Sequence, residues 1–218
     1  MFGAWQAGAW SVLSAVFEPE LVVGASIGSV NGWAIASGCT PEELAGFWTE
    51  RAGAPPLEAI AAVCSGFRPR IRYALVVTDV LARRTRTFEW PETSPAHVAA
   101  SCSVPPLLWP RRIGGRWYAD GGFYSPLPVA EAIQLGATRI LALNAIAGLR
   151  FPALARGRPP QPSGKLVELR PGRTFGGFFA MLRHRPERVR EWLELGQADG
   201  RNLIESEKHF LDDCFERK

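Results

Sequence analysis

From Leu21 to Gly28 the chain reads Leu-Val-Val-Gly-Ala-Ser-Ile-Gly. The apolar run Leu21-Val22-Val23 reads as a short strand, and Ile27 to Ala36 is compatible with a helix. Ser26 sits at the junction, between Gly24 and Gly28, in a G-x-S-x-G pattern. Strand, sharp turn and helix form the context in which this pattern presents a serine hydroxyl at the top of a sheet. A chain built around such an elbow needs a sheet to bury that strand and helices to cover it. This requirement points to the α/β class.

The remaining pattern agrees. Trp5, Ala9, Val12, Leu13 and Val16 recur at helical spacing, so Gly3 to about Phe17 reads as a helix that Glu18-Pro19 ends. Thr40-Pro41-Glu42-Glu43 carries a capping residue, a first-turn proline and a capping-box glutamate, opening a helix to about Ala52. Ile71 to Val80 is a strand, and "LARRTRTFEW" returns beside it. Ser94-Pro95 opens a short helix, Ala96 to Ser103, and Arg116 to Tyr118 is a short strand leading to Asp120-Gly121-Gly122. Pro128 to Leu135 is a helix closed by Gly136, followed by the buried strand Arg139 to Asn144. Residues 148–164 are rich in Pro, Gly and Arg and read as a surface loop. Leu166 to Leu169 is a last strand, and Thr174 to Arg183 and Pro186 to about Glu207 are helical. Strands alternating with helices predict one domain over residues 1–218, with a mostly parallel sheet flanked by helices on both faces and a C-terminal helical segment over 174–218.

The 218 residues and 47% apolar content suffice for one sizeable core. No apolar run approaches the length of a membrane span, and no secretory signal is visible. Cys39, Cys64, Cys102 and Cys214 are scattered, which reads as free thiols in a reducing, cytoplasmic setting. Neither these nor His97, His184 and His209 cluster at ligand spacing, so no metal and no cofactor is expected. A net charge of +4 is compatible with an anionic surface nearby but does not demand one. No nucleic-acid-binding motif accompanies the arginines.

A serine nucleophile needs a base. His97 lies on a short apolar helix and reads as structural; His184 lies in "RHRPERVR", a solvated basic stretch; His209 is near the C-terminus. The order Ser26, Asp120, His209 would match an α/β-hydrolase triad, but no motif surrounds either later histidine. Asp120 ends a strand before two glycines that let the backbone turn and leave the carboxylate open to a neighbour. A partly desolvated carboxylate touching the hydroxyl can itself act as base, although D-G-G alone is usually only a turn.

Taken together, "GASIGSVNG", "AASCSVPPLLWP" and "YADGGFYSPLPVAEAIQLGATRILAL" resemble the successive motifs of patatin-like phospholipases, and "ALVVTDVLARRTRTFEW" resembles the strand pair between them. The resemblance runs from about Phe2 to Leu149. It implies a three-layer α/β/α fold and a serine lipid acyl hydrolase with a Ser-Asp dyad. On this match Ser26 is the nucleophile and Asp120 its base, with Gly24, Gly28, Gly121 and Gly122 as motif glycines. The implied partner is a lipid or acyl-ester substrate; the oligomeric state is not implied.

The family normally opens with an apolar strand and a glycine-rich loop whose N–H groups form the oxyanion hole. The start "MFGAWQAGAWSVL" resembles only the end of that element, Gly3 matching its final glycine. The expectation is a sheet that lacks a strand beside the one leading to Ser26, leaving apolar side chains uncovered. The N–H groups of Gly3 and Ile27 would be partial oxyanion donors. A non-catalytic lipid-binding relative and a Ser-His-Asp esterase are the alternatives. Leu107, Leu108 and Trp109 are candidates for the wall of an acyl slot. Phe175, Phe178, Phe179, Met181 and Leu182, followed by Arg183, Arg185, Arg188 and Arg190, read as a packed helix and a solvated basic one. Peripheral membrane contact is the second reading of that segment.

Overall fold

The structure, a computed structural model, describes residues 2–147, 162–174 and 186–207. The first half comprises α1 (Phe2–Leu13), β1 (Leu21–Ala25), α2 (Ile27–Ala36), α3 (Pro41–Glu50), α4 (Pro56–Gly66), β2 (Arg72–Asp79) and β3 (Arg84–Glu89). It is followed by α5 (Pro95–Ser101), β4 (Arg111–Ile113), β5 (Arg116–Asp120), α6 (Val129–Gln134), β6 (Ile140–Leu143), β7 (Leu166–Leu169) and α7 (Pro186–Ser206). Most of the 148–164 loop, the Phe175–Leu182 apolar group, Arg183, His184, Arg185, His209 and Cys214 lie outside the described residues. Among the described residues no helix is long and apolar enough to cross a membrane.

The class is α/β, but the main sheet is mixed rather than mostly parallel. β1 pairs parallel with β2, whereas β2–β3, β2–β5 and β4–β5 are antiparallel. Helices join β1 to its parallel partner β2; two hairpins supply the β2–β3 and β4–β5 pairs, and the long-range β2–β5 pair joins them. One turns between β2 and β3, where Asp79 Oδ1 accepts the Ala82 N–H at 2.9 Å and Arg83 takes φ 53°. The other turns at Gly114 and Gly115, at φ 55° and 81°, the double positive φ that a two-residue hairpin loop requires.

The register of β2 organises everything around it. β3 covers one edge, from Ala74 to Asp79. The opposite edge is shared: β1 occupies Arg72 to Val76 and β5 occupies Val77 to Asp79. Since β1 runs with β2 and β5 against it, their C-terminal ends meet head on, Ala25 opposite Val76 and Asp120 opposite Val77.

β6 and β7 form a separate parallel pair. Among the described residues no ladder joins them to the main sheet. A groove of about 190 Å³ lies between β1 and β6, lined also by α2, α6, Trp10 and Phe17.

The helices form for the reasons their sequences suggest. Thr40 and Glu43 complete the capping box of α3, with Glu43 N–H donating to Thr40 Oγ1 at 3.2 Å and Thr40 N–H to Glu43 at 2.8 Å. α1 is buried along Ala4, Trp5, Ala7, Ala9 and Leu13. It crosses α7 at very short range, because Gly8 faces the Leu193 carbonyl and Gly196 the Trp5 carbonyl. A Cβ at either glycine would stand 2.1 Å from that oxygen. The Trp5 indole donates to Asp199 Oδ2 at 2.8 Å across this contact.

Candidate active site

Ser26 sits between β1 and α2 with φ 53° and ψ −130°, outside the backbone regions a serine normally occupies. Such a conformation persists only where its surroundings fix it. Here the Ser26 N–H donates to Ser101 Oγ at 3.0 Å, and the Ser101 hydroxyl donates to the Val76 carbonyl at 2.8 Å. The Ser26 carbonyl accepts the Ser29 N–H at 2.9 Å and the Ser29 hydroxyl at 2.6 Å. Gly24 is obligatory because a Cβ there would lie 2.3 Å from the Gly28 carbonyl. The glycines of the motif thus let the helix start directly against the strand end.

Asp120 closes β5 and is completely buried. Its backbone is held at both ends: its N–H donates to the Ser103 carbonyl at 3.0 Å, and its carbonyl accepts the Thr78 hydroxyl at 2.7 Å. Oδ1 accepts the Gly122 N–H at 2.7 Å. Gly121 packs on the neighbouring strand ends; a Cβ there would stand 2.3 Å from the Val76 carbonyl and 3.4 Å from Ala25 Cβ.

Burial pushes the Asp120 carboxyl up to about 7 from an ordinary 3.8, against the opposing effects of the Ser26 hydroxyl and the Gly122 N–H. The serine hydroxyl is therefore near enough to favour the charged carboxylate. The pair still falls short of a regular hydrogen bond, and Oδ2 is a buried oxygen without a hydrogen-bond partner. The β1–β2–β5 register independently brings the two strand ends together.

Ser26 and Asp120 open into one cavity of about 980 Å³, at the upper end of the roughly 300–1,000 Å³ usual for small-molecule sites. Its walls are mostly apolar: Phe2, Val30, Phe47, Trp48, Pro55, Pro56, Ile60, Leu107 and Leu108 among others. Among the described residues, its lining includes the ionisable residues Arg51 and Asp120. Ile27, Gly28 and Gly122 also line it, and Ile27 opens α2, where first-turn N–H groups have no partner within the helix.

Two sequence candidates stand elsewhere. Trp109 is 71% exposed and does not line the cavity. Gly3 is buried inside α1, its Cα against the Trp48 ring and its carbonyl accepting from Asn31 Nδ2 at 3.0 Å. Asn31 also donates to Gln6 Oε1 at 3.0 Å and accepts the Trp48 indole N–H at 2.9 Å, fixing α1, α2 and α3 behind the cavity.

His97 is turned away to Ser94, its Nδ1 accepting the Ser94 N–H at 3.2 Å, and its ring packs on Phe88. Burial holds its protonation below the usual histidine range. Cys39, Cys64 and Cys102 are free thiols, and burial pushes Cys39 and Cys64 up to about 12. No cluster of metal-ligating side chains occurs among the described residues.

Sequence reasoning missed the serines that set the elbow and the α3–α4 wall of the cavity. Ser101 and Ser103 lie within the quoted motif "AASCSVPPLLWP", so their signal was present without an assigned role.

Known proteins resemble this chain over its central part. Residues 52–133 match the family model for patatin-like phospholipase. That stretch carries Asp120; Ser26 lies before it. Over 76 residues the chain is 34% identical to an uncharacterized NTE family protein of Mycobacterium bovis, which covers 34% of this chain and 20% of that protein. Uncharacterized NTE family proteins of two Mycobacterium tuberculosis strains match to the same extent. The matched stretch spans about a fifth of the length of these relatives. Of the motifs that carry the resemblance, the family model thus matches those between residues 52 and 133.

Proposed function

We propose, from the patatin-like phospholipase match of residues 52–133 and the geometry around Ser26, that this protein is a serine lipid acyl hydrolase with a Ser26–Asp120 dyad. One observation carries the reading: a completely buried carboxyl with an unbonded oxygen stands beside a serine held at positive φ, at the foot of a largely apolar cavity. The wider proposal is a single three-layer domain acting in the cytoplasm or peripherally on a membrane.

In this mechanism the ester carbonyl lies over the elbow and its acyl chain along Phe47, Ile60 and Leu108. Ser26 Oγ attacks the carbonyl carbon while Asp120 takes the hydroxyl proton. The resulting oxyanion points to the Ile27 N–H at the start of α2. Collapse of the tetrahedral intermediate expels the alcohol, which receives the proton from Asp120 and leaves an acyl-serine. Asp120 then deprotonates a water that attacks the acyl-serine. The second collapse frees the fatty acid and returns the proton to Ser26. A carboxyl poised near 7 suits both directions of transfer.

A fluorophosphonate probe tests the assignment, since it reacts only with an activated serine. Covalent label is expected on Ser26, to fall sharply in Asp120→Asn and to persist in His97→Ala, His184→Ala and His209→Ala. Loss of label in His209→Ala alone, with the fold intact, would replace the dyad by a Ser-His-Asp triad. A chain that binds lipid yet neither labels nor hydrolyses a short-chain nitrophenyl ester would be a non-catalytic relative. The position of Gly3 against Trp48 favours that second reading over a complete oxyanion hole.

A further inference from the structure

Two hairpins beside the cavity carry an unusual surface. The segments 80–88 and 104–119 contain six arginines and no carboxylate: Arg83, Arg84, Arg86, Arg111, Arg112 and Arg116. Asp79, just before the first segment, is buried and pairs with Arg116 at 3.1 Å, so it offsets one of these charges. Between the arginines stand large apolar side chains in solvent. Leu81 is 77% exposed and Trp117 46%, and Val80 is exposed beside them.

The register sets Arg84 and Arg111 on one face of the sheet and Arg112 and Trp117 on the other, and what the two hairpins share is the end of the sheet at which both turns lie. The Val80 N–H donates to the Trp117 carbonyl at 3.0 Å, and Trp117 faces Arg112 across the β4–β5 ladder. The chain entering β4 starts at the cavity wall with Leu107 and Leu108 and passes through the exposed Trp109. The cavity rim and the two hairpins are therefore linked by a few residues of backbone.

Leucine and valine at one turn tip, and a tryptophan exposed on the strand beside it, are poor choices for a surface that meets only water. Tryptophan and arginine together suit a bilayer interface, where the indole lies at headgroup depth and guanidinium groups meet phosphates. We propose that the β2–β3 turn and the β4–β5 hairpin form a docking face for an anionic lipid surface. Leu81 and Trp117 enter the interface, and Arg84 and Arg112 sit against headgroup phosphates. The proposal extends the lipid reading of the cavity, because docking here holds the cavity rim at the bilayer; the binding itself does not depend on turnover.

Sedimentation with vesicles tests it. The protein is expected to bind equimolar phosphatidylglycerol–phosphatidylcholine vesicles, weakly to bind pure phosphatidylcholine, and to dissociate as salt rises. Arg84→Gln and Arg112→Gln should each weaken binding about fivefold, and Leu81→Asp should reduce it further. All three sit on exposed positions away from Ser26, and hydrolysis of a soluble nitrophenyl ester should be unchanged in each. Equal binding of both vesicle types, or variants that bind like the parent, would overturn the docking face. So would tighter, salt-sensitive binding of duplex DNA with no vesicle binding. Vesicle binding that shows the expected losses, in a parent that hydrolyses no ester, would leave docking intact and remove the hydrolase reading instead.

Discussion

Under the proposed dyad, titration of Asp120 makes activity and stability depend on pH in opposite senses. Its folded carboxyl titrates near 7 and an ordinary aspartate near 3.8. Between those values the folded chain keeps a proton that the unfolded chain has released, so stability falls as pH rises through this window. The full effect is about 4 kcal/mol, reached above about pH 8. The proposed dyad needs the carboxylate, so kcat/KM for a soluble ester is expected to rise with pH with an apparent midpoint near 7. Asp120→Asn stays neutral throughout. It should abolish most turnover, raise the melting temperature at alkaline pH and match the parent near about pH 4. Thermal denaturation across that range checks it. A variant less stable than its parent at every pH would show that the Oδ1 bond to Gly122, not the buried charge, decides the energetics.

At the scale of elements, α5 is tied to the elbow through one side chain. Ser101 accepts the Ser26 N–H and donates to the Val76 carbonyl, so Ser101→Ala leaves one part-buried and one buried backbone group without that partner. A loss of about 1–3 kcal/mol is expected in urea unfolding, with kcat falling more than KM rises as the elbow relaxes. Gly24→Ala should be worse, because its Cβ meets the Gly28 carbonyl at 2.3 Å and nothing flexible can yield. The elbow itself was legible because apolar run, glycine, serine, glycine and helix pattern all agree. D-G-G marked Asp120 only as a turn, and its pairing with Ser26 was read from the family resemblance, because a head-on meeting of β1 and β5 along β2 is a register property with no local signal. The mixed sheet escaped because alternation of strands and helices was weighted above two short turns, although Gly114-Gly115 is a hairpin signature. α4 escaped because two prolines precede it; Pro56 in fact occupies its first position, where the missing N–H is harmless. Ser101 was hidden because a serine inside a short helix usually bonds only its own turn.

At the scale of the whole molecule, the β6–β7 pair and the main sheet face each other across the 190 Å³ groove. Among the described residues β1 pairs only with β2, and β6 only with β7, so the facing edges of β1 and β6 have no ladder. Their C-terminal ends lie on the same side, because Ala25 and Leu143 both line the 980 Å³ cavity. An apolar strand laid in the groove parallel to β1 would pair with both edges and bury the half-exposed Val22 and Val23. A glycine-rich loop following it would arrive at Ser26 and add backbone N–H groups where Ile27 now stands at the start of α2. An unladdered strand edge is also a template for another chain, so self-association at high concentration is expected for residues 1–218 alone. Extending the chain at its N-terminus with such a strand and loop should shift gel filtration toward the monomer. It should also raise ester turnover by about 10²–10³, the usual worth of one well-placed oxyanion donor. If residues 1–218 alone are monomeric and turn over as fast as the extended form, Ser26 obtains its oxyanion donors within the present chain. The groove would then have no catalytic part to play.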